Sequence, residues 1–147
     1  MTYPLAFSTW GDEEVDAIKR VIDTDMYTMG KHVKQFEQEF AETFGSPHAV
    51  MVNSGSSANL LMLSLLKWKY KLSGDIIVPV VGWATTYFPI SQNGFRLNFV
   101  DVDPNTWNID VSKIEAAITP ETCAIMPVNL LGNSCDYKRI IALCEEH

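Results

Sequence analysis

A short run of small polar residues, Asn-Ser-Gly-Ser-Ser-Ala at 53–58, follows a β-favouring stretch and precedes a long apolar run. This order predicts a strand, a tight turn and a helix. The first turn of a helix offers unpaired N–H groups and the positive end of the helix dipole, which bind anions. We expect Gly55 to allow the sharp turn, and the amides and hydroxyls of Ser56 and Ser57 to hold a phosphate without a lysine. The simpler alternative is a helix cap, because serine and glycine are preferred at that position in any case.

Two further candidates follow other predicted strands. Trp83 lies in the segment Gly-Trp-Ala-Thr-Thr-Tyr, directly after the strand predicted at 75–80, and could stack on a flat ring or only fill a core. Asn129 follows the strand predicted at 123–128, with Gly132 and Asn133 close behind. Its amide could donate to a ring oxygen or only close a turn. In a parallel α/β sheet such strand ends share one edge, where ligands bind.

Other chemistry is disfavoured by the motifs. The 53–58 segment is not G-x-G-x-x-G, so a hydride-transferring dehydrogenase is not indicated, and it lacks the lysine of a P-loop. The cysteines and histidines are too scattered for a zinc site or a disulfide framework, and we expect no metal; they are Cys123, Cys135, Cys144, His32, His48 and His147.

Composition sets the class of protein. The chain has 147 residues, 47% of them apolar and 20% charged, as expected of a globular protein. Its net charge of -7 argues against nucleic acid as a partner. No apolar run approaches the roughly 20 residues that cross a bilayer, and the amino terminus does not resemble a signal peptide. We therefore expect no membrane association and a cytoplasmic location.

The hydrophobic pattern predicts alternating strands and helices. Two amphipathic helices come first, at 12–24 and from about Val33 to a stop at Gly45, with a loop at 25–31 between them. Strands are predicted at 49–52, 75–80, 97–101 and 123–128, and helices after residue 55, at 85–92, from Asp110 and from Asp136. Pro89 should be tolerated only in the first turn of its helix. The fold class is therefore α/β, with a mostly parallel sheet between helices on both faces, in three layers.

The pattern also indicates how the chain is divided. Residues 1–46 form an amino-terminal helical segment, and residues 47–147 form the first part of a larger domain. The sequence closes on a helix without a following strand, proline or polar tail. We expect the chain to be truncated at 147.

Several separate motifs, in order along nearly the whole chain, resemble one known family. They are residues 27–30, 36–37, 53–60, 74–75, 99–103, 108–110 and 128–133. The chain resembles the sugar-nucleotide aminotransferases and dehydratases of the DegT/DnrJ/EryC1/StrS type, which have the aspartate-aminotransferase fold. Two segments are more similar to the dehydratase branch. The first is Trp83-Ala84, where the aminotransferases have Thr-Phe. The second is the Asn129 segment, where the aminotransferases have a segment of the His-Leu-Tyr-Gly type.

The resemblance implies a pyridoxal 5'-phosphate (PLP) or pyridoxamine 5'-phosphate cofactor. By that resemblance Gly55, Ser56 and Ser57 would hold its phosphate, and Trp83 would stack on its ring. Asn129 would be a further cofactor contact, and the loop around Met29 and Gly30 would lie near the sugar nucleotide.

The resemblance also implies a reaction. The dehydratases remove the 3-hydroxyl of a nucleotide-linked 4-keto-6-deoxy sugar in deoxysugar and lipopolysaccharide biosynthesis, with glutamate as amino donor, and the family works as homodimers. The aspartate that pairs with the pyridine nitrogen, and the lysine or histidine that decides between transamination and dehydration, would lie beyond His147, so the chain alone should be inactive. A sugar aminotransferase is the first alternative and a noncatalytic, aminotransferase-like regulator the second.

Overall fold

Two compact units make up the chain, whose computed structural model describes residue 4 and residues 6–147. One unit is Met1–Met51 and the other is Val52–His147. The sequence places this division after residue 46. Among the described residues, no helix combines the length and the hydropathy needed to cross a bilayer.

The first unit contains the two predicted amphipathic helices, α1 (Asp12–Ile22) and α2 (Lys31–Phe44). The Gly11 N–H donates to the Glu14 carboxylate at 2.7 Å, which helps to start α1 and lowers the pKa of that carboxyl. Helix α2 ends as predicted, because Gly45 adopts a φ of 64°, which a glycine reaches without strain.

The second unit contains a parallel sheet of three strands, β1 (Asp75–Pro79), β2 (Arg96–Val100) and β3 (Thr122–Ile125). The strand order is β2-β1-β3, so β1 is central, and Ile77 is paired with Asn98 on one side and Ile125 on the other. The helices of this unit are α3 (Gly55–Tyr70), α4 (Ala84–Gln92), α5 (Val111–Ala117) and α6 (Tyr137–Glu146), with a short 3-10 turn at Leu130–Gly132.

Helices cover both faces of the sheet. Because side chains alternate along a strand, Ile76 and Val78 point to one face and Ile77 to the other. On the first face the buried cluster is completed by Leu63 of α3, Ile90 of α4 and Phe95. On the second face the buried partners of Ile77 are Val100, Ile109, Ile114, Cys135 and Ile140. The three-layer α/β fold predicted from the sequence is confirmed.

The strand predicted at 49–52 is wrong. The structure has no strand there, and within the described part of the chain none of the three strands pairs with it. Val50 is 69% exposed, and the Met51 N–H donates to the Glu37 carboxylate at 2.8 Å instead of to the backbone of a neighbouring strand. β-favouring residues form a strand only beside a partner, and no described strand supplies one.

The expectation for Pro89 is also corrected. Pro89 lies in the second turn of α4, where it cannot donate to the Thr85 carbonyl. The Asn59 side-chain amide of α3 donates to that carbonyl at 3.4 Å. A neighbouring helix thus supplies the hydrogen bond that the proline removes.

Candidate functional site

Three of the predicted site segments belong to the second unit and follow from its topology. Parallel strands β1 and β3 are neighbours, so the segments after them, which contain Trp83 and Asn129, leave the same edge of the sheet. The start of α3 lies against the start of α4, because Asn59 in the second turn of α3 reaches Thr85 in the first turn of α4. Ser56, Ser57 and Thr85 line one cavity of about 210 Å³.

The first turn of α3 is capped from within its own segment. Ser54 is the N-cap in an extended conformation, and its hydroxyl oxygen accepts from the Ser57 N–H at 3.2 Å. In the part of the chain that the structure describes, the N–H groups of Gly55 and Ser56 have no acceptor. The cap interpretation and the anion interpretation of this segment are therefore compatible, because the cap uses the Ser57 N–H and leaves those of Gly55 and Ser56.

Gly55 has a different role from the one predicted. The chain bends at Asn53 and is extended at Ser54, and Gly55 is an ordinary first-turn residue without a positive φ. A Cβ placed on Gly55 would meet nothing within 4 Å. The glycine therefore leaves open space beside the two unpaired N–H groups, and the first turn carries no acidic side chain that would repel an anion.

The Ser57 hydroxyl is already engaged. It donates to the Asn53 side-chain oxygen at 2.6 Å and accepts from the Ser54 hydroxyl at 3.2 Å. No separate role was predicted for Asn53 from the sequence. Its position, as a polar residue just before the N-cap serine, is the feature of the sequence that could have indicated this contact. For Ser57 to donate to a phosphate, its hydroxyl must turn away from Asn53.

Trp83 is the N-cap residue of α4 and is 75% exposed, so it does not fill the core. The loop before it is held by Tyr87, whose hydroxyl donates to the Pro79 carbonyl at the end of β1, at 2.8 Å. A Cβ on Gly82 would clash with the Tyr87 hydroxyl oxygen, so only glycine allows this approach. Burial raises the pKa of the Tyr87 phenol, which stays protonated and able to donate at neutral pH.

Replacing Gly82 with alanine should therefore displace the Tyr87 ring. We expect Gly82→Ala to lower the free energy of unfolding by about 1–2 kcal/mol, through loss of a partly buried hydrogen bond. In a Tyr87→Phe background, where the clashing oxygen is absent, the same change should have a much smaller effect. Chemical denaturation of the four proteins measures this coupling, and additive losses would contradict the role given to Gly82.

Asn129 closes the loop that follows β3. Its side-chain oxygen accepts from the Cys135 N–H at 2.9 Å and from the Tyr137 hydroxyl at 3.1 Å. The side-chain oxygen of Asn129 therefore closes the turn, which was the simpler of the two alternatives for this residue. The Asn129 amide nitrogen has no partner among residues 4 and 6–147, and a contact between that nitrogen and a cofactor stays a prediction.

Met29 and Gly30 belong to the first unit. Gly30 is the N-cap residue of α2, and Met29 is 71% exposed. Gly30 also lines a largely apolar cavity of about 620 Å³ between α1 and α2, together with Ile18, Val21, Ile22, Met26 and Val33. A contact of this loop with a sugar nucleotide stays a prediction.

A family model described as the DegT/DnrJ/EryC1/StrS aminotransferase family matches residues 8–147. The chain is 52% identical to the GDP-4-keto-6-deoxy-D-mannose 3-dehydratase of Yersinia pseudotuberculosis, over 99% of this chain and 38% of that protein. The chain therefore spans well under half of the length of this relative.

Solved structures of sugar-nucleotide enzymes also match nearly the whole of this chain. A GDP-4-keto-6-deoxymannose-3-dehydratase with a trapped PLP–glutamate geminal diamine is 50% identical and matches with a TM-score of 0.91, over 99% of this chain and 39% of that one. A sugar aminotransferase from Micromonospora echinospora is 30% identical, with a TM-score of 0.86 over 97% of this chain and 38% of that one. The chain belongs to the DegT/DnrJ/EryC1/StrS aminotransferase family.

Proposed function

We propose that the whole protein carrying this chain is a PLP-dependent enzyme that removes the 3-hydroxyl of a nucleotide-linked 4-keto-6-deoxy sugar. The observation that carries the proposal is the first turn of α3, where the N–H groups of Gly55 and Ser56 have no acceptor among the described residues and open space adjoins Gly55. The start of α4, which follows the exposed Trp83, contacts the same end of α3. The 52% identity to a 3-dehydratase supports the choice of reaction.

The residues present fit the phosphate of PLP. Within residues 4 and 6–147 the N–H groups of Gly55 and Ser56 have no acceptor and can donate, and the missing side chain of Gly55 leaves room for the phosphate oxygens. The helix dipole adds a favourable field for a dianion. The Ser56 hydroxyl is a further donor, and the Ser57 hydroxyl becomes one when it leaves Asn53.

Trp83 fits the aromatic ring of the cofactor. Its indole is exposed at the start of α4, on a loop that Tyr87 and Gly82 hold against the end of β1. A large flat side chain held in this way can cover one face of a pyridine ring and exclude water from it. When bound, PLP supplies the electron sink for the reaction, while these residues fix its phosphate and the plane of its ring.

A sugar aminotransferase is the second candidate. The similarity of the Micromonospora echinospora enzyme over 97% of this chain supports it, because the same fold carries both reactions. We further propose glutamate as the amino donor and a cytoplasmic homodimer as the working form. Analysis of the sugar product decides between the candidates, since dehydration gives a 3-deoxy sugar and transamination gives an amino sugar.

The cofactor assignment is tested by titrating the whole protein with PLP and recording the absorbance of the bound cofactor. We expect a saturable band in the unaltered protein, and about a tenfold weaker affinity in Trp83→Ala, because the stacked face is lost. Trp68→Ala is the control, since Trp68 is similarly exposed, at 72%, but lies at the other end of α3.

Absence of any PLP band in the unaltered protein would contradict the assignment. An unchanged affinity in Trp83→Ala would contradict only the stacking role.

A further inference from the structure

Helix α4 has a gap in its backbone hydrogen bonding near its start. Pro89 has no N–H, so the Thr85 carbonyl lacks the donor that a helix normally provides four residues later. Thr85 is only two residues after Trp83. The gap therefore weakens the turn that carries the indole.

Asn59 of α3 fills this gap. Its side-chain nitrogen donates to the Thr85 carbonyl at 3.4 Å, and both residues are partly buried. Asn59 lies one turn after Gly55 and Ser56, whose N–H groups have no partner in the described part of the chain. One side chain thus joins the anion-binding turn of α3 to the turn of α4 that follows Trp83.

The other side-chain hydrogen bonds from α3 reach the far end of α4, at its C-cap residue Asn93. The Ser64 hydroxyl donates to the Asn93 side-chain oxygen at 2.9 Å, and the Lys67 ammonium donates to the Asn93 carbonyl. In the described residues, Asn59 provides the one side-chain hydrogen bond from α3 to the first turns of α4. The distance between the two helix starts therefore depends on it more than on Ser64 or Lys67.

We propose that Asn59 is a positioning residue that sets the place of Trp83 relative to the phosphate-binding turn of α3. The proposal rests on the proposed function, because a phosphate and a ring on one ligand must reach both turns at once. Asn59 itself contacts neither the phosphate nor the ring. It acts by holding the two turns at the spacing that PLP spans.

The test compares PLP with inorganic phosphate as ligands of the whole protein. Asn59→Leu removes the donor, keeps the number and branching of the side-chain heavy atoms and has good helix propensity. We expect its affinity for PLP to fall about three- to tenfold, the effect of one lost hydrogen bond. Its affinity for inorganic phosphate, which needs only the α3 turn, should stay within about twofold. Ser64→Ala is the matched control, because it removes a hydrogen bond between the same helices, and it should leave both affinities unchanged.

A second variant separates positioning from general loosening of the helix pair. Pro89→Ala restores an N–H to α4, which can donate to the Thr85 carbonyl in place of Asn59. In a Pro89→Ala background, Asn59→Leu should therefore have little effect on PLP affinity, and in a Trp83→Ala background it should have none.

The outcomes are distinguishable. If the unaltered protein binds no PLP, the proposed function fails and the inference fails with it. If the protein binds PLP equally well with and without Asn59, the inference alone is wrong. Equal losses of PLP and phosphate affinity in Asn59→Leu, or the same loss in Ser64→Ala, would also overturn it.

Discussion

Replacing Gly55 with aspartate should lower the affinity of the whole protein for PLP about 100-fold and should not destabilise the fold. A Cβ at this position meets nothing within 4 Å, so the side chain is accommodated. Its carboxylate would lie where we place the phosphate, and repulsion from a dianion over a few ångströms amounts to about 2–4 kcal/mol in partly exposed surroundings. The same charge in the first turn of α3 interacts favourably with the helix dipole, by about 0.3–1 kcal/mol.

Two variants separate charge from volume. Gly55→Asn has nearly the shape of the aspartate variant without its charge, and Gly55→Ala adds only a methyl group. Both should bind PLP much more tightly than Gly55→Asp, and the difference between the Asn and Asp variants should shrink as salt is added. PLP titration and thermal denaturation measure the two effects. An aspartate variant that binds PLP as well as the asparagine variant would show that the phosphate lies elsewhere.

The sequence predicts those parts of the fold that depend on local pattern. The three strands and the helices around them follow from runs of apolar residues and from their caps, as with Asp110 and Asp136, whose carboxylates accept from Ser112 and Arg139 N–H groups. The prediction of a strand at 49–52 fails because strand formation depends on a partner strand, which local sequence does not reveal. The expectation that Pro89 lies in the first turn of its helix fails for a related reason, since the lost hydrogen bond is replaced by Asn59 on another helix.

The candidate site is likewise predictable only where it depends on local sequence. The segment at 53–58 and Trp83 are recognisable as candidates from residue type and position after a strand, whereas the exposure of the indole is known only from the structure. The partners that fix their geometry are not, because they are contacts across the fold: Tyr87 with Pro79, and Asn129 with Cys135 and Tyr137. Gly55 was predicted to make a turn, but only coordinates show that its missing Cβ leaves open space instead.

The largest effect on stability is expected at Gly74, on the opposite edge of the sheet from the candidate site. Gly74 has a φ of 117°, which a residue with a side chain rarely adopts. Its carbonyl accepts from the Arg96 N–H at 2.9 Å, and the next residue, Asp75, donates to the Glu121 carbonyl at 2.8 Å. Gly74 therefore lies where β1 meets the start of both neighbouring strands.

A Cβ on Gly74 would overlap the Glu121 carbonyl oxygen, which is backbone and cannot rotate away. Gly74→Ala must therefore move the start of β3 as well as strain its own φ, and we expect a loss of about 3 kcal/mol or more in the free energy of unfolding. Gly132→Ala is the control, because Gly132 also has a positive φ, of 84°, but a Cβ there meets nothing within 4 Å. It should lose only the roughly 1–2 kcal/mol of backbone strain. Chemical denaturation of both variants gives the difference. Similar losses at the two positions would mean that the backbone at Glu121 yields easily and that this edge of the sheet is not held rigidly by Gly74.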